Sequence, residues 1–353
     1  MASNWRDRRV SAIQLGVVTV TLVMGLSACS SSSKSTPAAE SGPAGAGSNR
    51  GQTVNIVAYS VPKPAYDALE KAFQATPLGQ GVKFTASYGP SGTQSAAVLN
   101  GQPAGYVAFS VTPDLTKLVP SLVDPGWNMG PTKGLVSDSV VVLTVRKGNP
   151  KHITGWDDLI KPGVQIVTPD PASSGSAKWN VLAAYTHVLL DGGTEAQAQT
   201  YLKHFFANVV SKPSSGSVAT STFLNGTGDV LISYEDEAID ARQAGKSLDY
   251  LVPAESILIQ NPAAVTVGAN QASKDFLSFI ESAPGQAVFA ATGFRPIESG
   301  TTVGTVQGAN DPAAAFPSVP KLETITDLGG WTAVNSKYFD KSTGIVTKIE
   351  SGS

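Results

Sequence analysis

Four short segments of this sequence put small hydroxyl and glycine residues where a strand should give way to a helix. They are Tyr59-Ser60-Val61-Pro62-Lys63-Pro64, Gly89-Pro90-Ser91-Gly92-Thr93, Thr168-Pro169-Asp170-Pro171-Ala172-Ser173-Ser174-Gly175-Ser176, and Ser214-Ser215-Gly216-Ser217-Val218-Ala219-Thr220. The chemistry open to such residues is anion capture. The first turn of a helix carries amide N–H groups with no intrahelical acceptor, and its dipole favours negative charge there. Glycine lets an anion approach the backbone, serine adds a hydroxyl donor, and Ser60 with its prolines suits a capped helix start. Each segment alone also reads as an ordinary N-capped turn. Four of one kind in one chain point to a shared ligand, but composition and spacing do not name the anion.

Other chemistries fit less well. Gly89 to Thr93 nearly matches the G-x-S-x-G elbow of hydrolases, but Thr93 stands where glycine belongs. A hydrolase also needs a histidine base beside Ser91, whereas His152 falls in a loop and His187 and His204 fall inside expected helices. No enzymatic activity is therefore expected. The single cysteine, Cys29, excludes an internal disulfide framework and a multi-thiolate zinc site, and the three histidines lack metal-ligand spacing. Neither metal nor cofactor is expected. Glu235-Asp236-Glu237 reads as an acidic helix start. The 353-residue chain carries a formal net charge of −2. Without residues 1–28, which hold Arg6, Arg8, Arg9 and Asp7, it carries −4, with no basic run. That disfavours nucleic acid and means any anion must be held by local donors.

The elements that must position these loops alternate in type. Val54–Tyr59 reads as a strand, followed by a helix with Tyr66, Leu69 and Phe73 on one face. Val82–Ala86 reads as a strand before a helix around Gln94–Leu99, and Tyr106–Phe109 as a third strand. Val140–Val145 is the strongest strand. Val164–Val167 precedes a helix with Trp179, Leu182, Ala183, Thr186 and Leu190 on one face. Val230–Ile232 leads into a helix near Glu235, Ile257–Ile259 and Val265–Val267 are later strands, and Lys274–Ile280 is a late helix. This alternation predicts an α/β architecture with mostly parallel sheets, in which ligands sit beyond the carboxyl ends of the strands.

The N-terminus reads as an address. Arg6, Arg8 and Arg9 precede an apolar stretch from Val10 to Leu26 that is too short and too polar for a membrane span. It ends Leu26-Ser27-Ala28-Cys29, which resembles the bacterial lipobox, with Cys29 as the lipidated mature N-terminus. Residues 30–50 are mostly Ser, Gly, Ala and Pro and cannot bury enough surface to fold, which predicts a flexible tether.

Longer stretches carry a family resemblance. They are Val145-Arg146-Lys147-Gly148-Asn149-Pro150-Lys151, Trp156-Asp157-Asp158-Leu159-Ile160-Lys161-Pro162-Gly163, the 168–175 loop continuing to Ala177-Lys178-Trp179-Asn180, and Gly228-Asp229-Val230-Leu231-Ile232 with Glu235-Asp236-Glu237-Ala238. Pro253-Ala254-Glu255-Ser256-Ile257-Leu258, Ala283-Pro284-Gly285-Gln286 and Gly293-Phe294-Arg295-Pro296 complete the set. Together, from about residue 53 to 350, they resemble the bacterial sulfate-binding proteins, receptors of sulfate and thiosulfate ABC importers.

The resemblance implies an α/β type II periplasmic-binding-protein fold, with two α/β lobes joined by a two-crossover hinge. Residues 1–28 would be a lipoprotein signal peptide and 29–52 a lipid-anchored tether. Residues 53–138 and 256–321 would form one lobe, 139–255 the other, and 322–353 a helical tail packing on the lobes. It implies an extracytoplasmic monomer, held to the cell membrane by lipid only, that binds sulfate and hands it to permease and ATPase subunits. The implied donors are the N–H groups of Ser60 and Ser91, the Ser174 hydroxyl, the N–H groups of Gly175 and Ser176, and an N–H from Gly216 or Ser217. Tyr234 stands where the family has a tryptophan donor, and a phenol reaches less far and in another direction. Thiosulfate, then molybdate or phosphate, are the alternative ligands. Sulfate carries no proton at neutral pH and needs only donors, whereas hydrogen phosphate also needs an acceptor. The donor loops hold one acidic residue, Asp170, expected to point away or to cap a helix.

Overall fold

A computed structural model describes residues 49–297 and 301–352. Cys29, the expected signal segment and most of the expected tether lie outside the described residues. The first lobe opens with β1 (Thr53–Tyr59), α1 (Lys63–Gln74), β2 (Lys83–Gly89), α2 (Ser91–Leu99), β3 (Tyr106–Ala108) and α3 (Thr112–Thr116). Strand β4 (Leu135–Arg146) leads into the second lobe, formed by β5 (Ile166–Val167), α4 (Gly175–Leu190), α5 (Glu195–Ala207), β6 (Val209–Ser211), α6 (Gly216–Leu224), β7 (Val230–Tyr234), α7 (Glu235–Gln243) and β8 (Leu248–Leu251). Strand β9 (Glu255–Val265) returns to the first lobe, where α8 (Gln271–Glu281) and α9 (Ala283–Ala291) follow. The chain ends with β10 (Lys321–Glu323), α10 (Gly330–Val334) and α11 (Ile345–Ser351).

The strand order is β2-β1-β3-β9-β4-β7-β5-β6, with β10 beside β9 and β8 beside β4. Strands β4 and β9 are the two crossovers. Ser139 to Val140 pair with Ile259 to Leu258, while Val141 onward pairs with β7 and Leu143 onward with β8. At its other end β9 pairs with β3 through Ala263–Val265. Two α/β lobes joined by two long antiparallel strands constitute the type II periplasmic-binding fold. The sheet is mixed, not mostly parallel, because every pairing of β4 and the β3–β9 pair are antiparallel.

Two expected strands, Ile257–Ile259 and Val265–Val267, are one continuous strand ending at Val265. Pro262 suggests a break from sequence because it has no N–H for a ladder. Here only its carbonyl is used, accepting from Phe109 N–H at 3.0 Å. Helix α1 buries Ala65, Tyr66, Leu69 and Phe73 on one face, as its periodicity predicts. Helix α4 differs from the single apolar face expected: between Gly175 and His187 every residue except Lys178 is buried. The C-terminal segment supplies the extra cover, with Trp331 edge-on to Trp179 at 4.9 Å and Tyr338 edge-on to Tyr185 at 5.1 Å. Ion pairs of Lys337 with Glu195 and of Lys212 with Glu350 fasten the same segment. Among the described residues no helix is long and apolar enough to cross a membrane.

Candidate functional site

Each donor loop follows from local sequence. Pro90, held extended, sets the entry to α2, and its carbonyl accepts from Gln94 N–H at 2.9 Å. The N–H groups of the residues between, Ser91 first, have no acceptor within the helix. The Ser91 hydroxyl is committed elsewhere: it donates to Asp114 Oδ2 at 2.7 Å and accepts from Ser110 N–H at 3.1 Å. Ser174 is the N-cap of α4, yet its side chain makes no capping bond, and the residue is 2% exposed. Ser215 caps α6 by accepting from Val218 N–H, which puts Gly216 and Ser217 in the first turn. Ser60 differs from expectation. The residue preceding α1 is Pro62, no side chain caps that helix, and Ser60 contributes its carbonyl to Lys63 N–H at 3.4 Å. Two prolines tighten this entry, so the helix starts later than Ser60.

The tertiary fold brings the four loops to one place. A Cβ on Gly175 would lie 2.7 Å from Ser110 Cβ and 3.3 Å from Ser91 Cβ. The start of α4 in the second lobe therefore abuts the start of α2 and the end of β3 in the first. A Cβ on Gly216 would lie 2.7 Å from Val61 Cγ2, 3.0 Å from Ser176 Oγ and 3.3 Å from Glu237 Oε2. The start of α6 thus meets the β1–α1 turn, with Ser176 between. Glycine is needed at both positions because side chains from the facing lobe occupy the space. Ser60 and Ser217 open onto a cavity of about 410 Å³ whose apolar wall includes Val61, Leu224 and Phe294.

Tyr234 ends β7 fully buried, and its phenol shares a 2.7 Å hydrogen bond with Ser110 Oγ. Burial raises the phenol pKa, opposed by hydrogen bonding from Ser110 and Ser176. Ser110 is the residue that the loop analysis missed. Besides bonding Ser91 and Tyr234, it offers its carbonyl to the Trp179 indole at 2.9 Å and to Asn261 Nδ2 at 3.1 Å. It is a hub through which both lobes touch. The signal was present in sequence: Phe109-Ser110-Val111-Thr112-Pro113 is a fifth strand end with a small hydroxyl before a proline-led helix.

The acidic run at the start of α7 is also more than a solvated helix start. All three carboxyls are buried, each with its own partner. Glu235 makes an ion pair with Arg295 at 2.7 Å, Asp236 accepts from Ser139 Oγ at 2.7 Å, and Glu237 accepts from Thr220 Oγ1 at 2.9 Å. Burial pushes the Glu237 carboxyl up to about 7. Asp170, in contrast, turns into its own loop: its carboxylate accepts from Ala172 N–H, and its carbonyl accepts from Ser173 and Ser174 N–H. His187 sits in the last turn of α4, the end remote from Ser174, stacked on Trp156 with Nδ1 against the Ala184 carbonyl.

What gathers between the lobes is a set of small serine- and glycine-bearing helix starts, with the carboxyls of Asp114 and Glu237 packed beside them. Residues 54–295 match the family model of bacterial extracellular solute-binding proteins. A sulfate-binding protein from Synechococcus elongatus is 36% identical, over 96% of this chain and 95% of its own. The chain belongs to the sulfate-binding protein family. A solved sulfate-binding protein from Mycobacterium tuberculosis H37Rv superposes with a TM-score of 0.76 at 42% identity, covering 82% of this chain and all of the other. A thiosulfate-binding protein from Pseudomonas aeruginosa is 30% identical, over 84% of this chain and 91% of its own. The family is one of extracellular solute-binding proteins, which sets the frame in which the converging helix starts are to be understood.

Proposed function

We propose that this chain captures sulfate outside the cytoplasmic membrane and delivers it to an ABC permease for import, without catalysis. One observation carries the reading: the helix start at Ser174–Ser176 packs against the start at Ser91 from the opposite lobe and against the Gly216 turn on its other side, and the residues of these starts are small and uncharged. The backbone N–H groups of Ser60, Ser91, Gly175, Ser176 and Gly216 or Ser217, with the Ser174 hydroxyl, form the donor set. Tyr234 orients through Ser110. Hydrogen bonds to a charged group contribute about 1.5–3 kcal/mol each, enough for several to offset the cost of desolvating a dianion. Release to the permease is eased because no lysine or arginine among these groups forms a tight ion pair with the ligand.

The test is calorimetric titration of sulfate-free protein in chloride buffer. Sulfate is expected to bind with a micromolar or tighter Kd, and phosphate much more weakly. Saturation by thiosulfate with no response to sulfate would replace the ligand and keep the site. Tyr234 in place of the family's tryptophan favours testing thiosulfate second.

The Leu26-Ser27-Ala28-Cys29 sequence supports attachment through a lipid on Cys29. Cells producing the chain and fed a radiolabelled fatty acid should yield labelled protein in the membrane fraction, whereas Cys29→Ser should be unlabelled. Label retained in that variant would place any lipid elsewhere.

A further inference from the structure

A cavity of about 650 Å³ shares no residue with the sulfate donor set. Its walls come from both lobes and the C-terminal segment: Lys117 at the end of α3, Pro171 of the 168–176 loop, Lys178 of α4, and Phe339, Lys341 and Glu350. The volume falls within the roughly 300–1,000 Å³ of small-molecule sites.

The charges around this cavity do not cancel. Lys117 pairs with Asp114 at 2.7 Å, and Glu350 pairs at 2.8 Å with Lys212, which stands outside the cavity. Lys178 and Lys341 have no carboxylate partner among the described residues. Lys341 is exposed, but Lys178 is half-buried. Its ammonium donates to Asn335 Oδ1 at 3.0 Å and lies 5.0 Å from the Phe339 ring centre. Burial lowers its pKa, opposed by Asp114. An ammonium withdrawn from water without a counter-ion is unfavourable, and an anion beside it restores the balance. Two uncompensated positive charges match a phosphoryl group, which carries about −1.5 to −2 near neutral pH. Glu350 selects further: a carboxylate on the wall disfavours a fully ionised anion but accepts the hydrogen of a protonated phosphate. A bare phosphate would leave most of this volume empty, so an organic body is needed to fill it.

We propose that this cavity is a second anion site, which takes a small organic phosphate monoester with its phosphoryl group at Lys178 and Lys341 and its body against Phe339 and Pro171. The proposal does not rest on sulfate capture. Phenyl phosphate, partly protonated at about pH 6, is titrated by calorimetry at low ionic strength into sulfate-free protein and into protein holding one equivalent of sulfate. One ester should bind per chain, with a Kd of about 1 mM or tighter in both cases. Lys178→Gln should weaken it roughly tenfold, by loss of one hydrogen bond to a charged group. Lys341→Gln, at an exposed position, should weaken it roughly two- to fivefold and leave sulfate affinity within twofold. Because Lys341 is exposed, its replacement tests the site even if Lys178→Gln fails to fold. Benzenesulfonate, which has a similar body but no proton to donate, should bind several-fold more weakly than the ester. Absence of ester binding at about 10 mM would overturn the proposal, as would unchanged binding by Lys341→Gln and Lys178→Gln. Displacement of sulfate by the ester would place it in the cleft instead, and equal binding of benzenesulfonate would overturn the choice of phosphate.

Discussion

Replacement of Gly175 by alanine should weaken sulfate binding at least a hundredfold while leaving the unliganded fold nearly as stable. The new methyl would sit 2.7 Å from Ser110 Cβ and 2.8 Å from Ser110 Oγ, closer than Cβ atoms are found to approach anything. Ser110 belongs to the opposite lobe, so the clash is relieved by the lobes parting rather than by unfolding. Parting removes the Gly175 and Ser176 N–H groups from the anion, and two bonds of about 1.5–3 kcal/mol each correspond to roughly a hundredfold to ten-thousandfold in Kd. Calorimetry together with denaturant unfolding separates the two effects. An affinity within tenfold of the unaltered protein would mean that the closed contact between α4 and Ser110 is not the liganded arrangement.

Both stability and affinity should fall as pH rises through neutrality. Burial lifts the carboxyls of Glu237 and Asp138 to about 7, each from an ordinary value near 4. A carboxyl with a raised folded-state pKa binds more protons when folded than when unfolded. Its stabilising effect is complete below the unfolded value and disappears as pH passes about 7. For Glu237 the shift corresponds to about 3 kcal/mol, as an order of magnitude. Its Oε2 lies against the Gly216 turn, so ionisation also puts a negative charge beside the anion. Sulfate affinity should be roughly tenfold weaker at pH 8.5 than at pH 6, by the scale of one charge interaction in a partly buried site. Glu237→Gln keeps an acceptor for Thr220 and should flatten the affinity profile, leaving the Asp138 share of the stability profile. A wild-type profile already flat across that range would mean that Glu237 keeps one protonation state throughout.

The sites differ in how much of them was legible from residues alone. Loops at 89–93, 168–176 and 214–220 were readable because a proline or serine beside glycine marks a helix start by local chemistry, and that chemistry also exposes the N–H groups. Helix α1 was readable because its buried face repeats at helical spacing. Strand β9 was misread as two because Pro262 breaks a ladder only if its missing N–H is needed, and which neighbour β9 pairs with there is decided by β3 and β4. Helix α4 read as amphipathic because the segment that covers its outer face lies about 150 residues further on.

The sequence by itself determined the kind of protein: an α/β chain with glycine- and serine-rich helix starts and stretches shared with the sulfate-binding protein family. Only tertiary structure decided that Ser110 joins the lobes and that Glu235, Asp236 and Glu237 are buried, each with its own partner. The reason is physical. A helix start is defined by its own few residues, whereas burial, pairing and a shifted pKa belong to surfaces from distant parts of the chain that meet only when it folds.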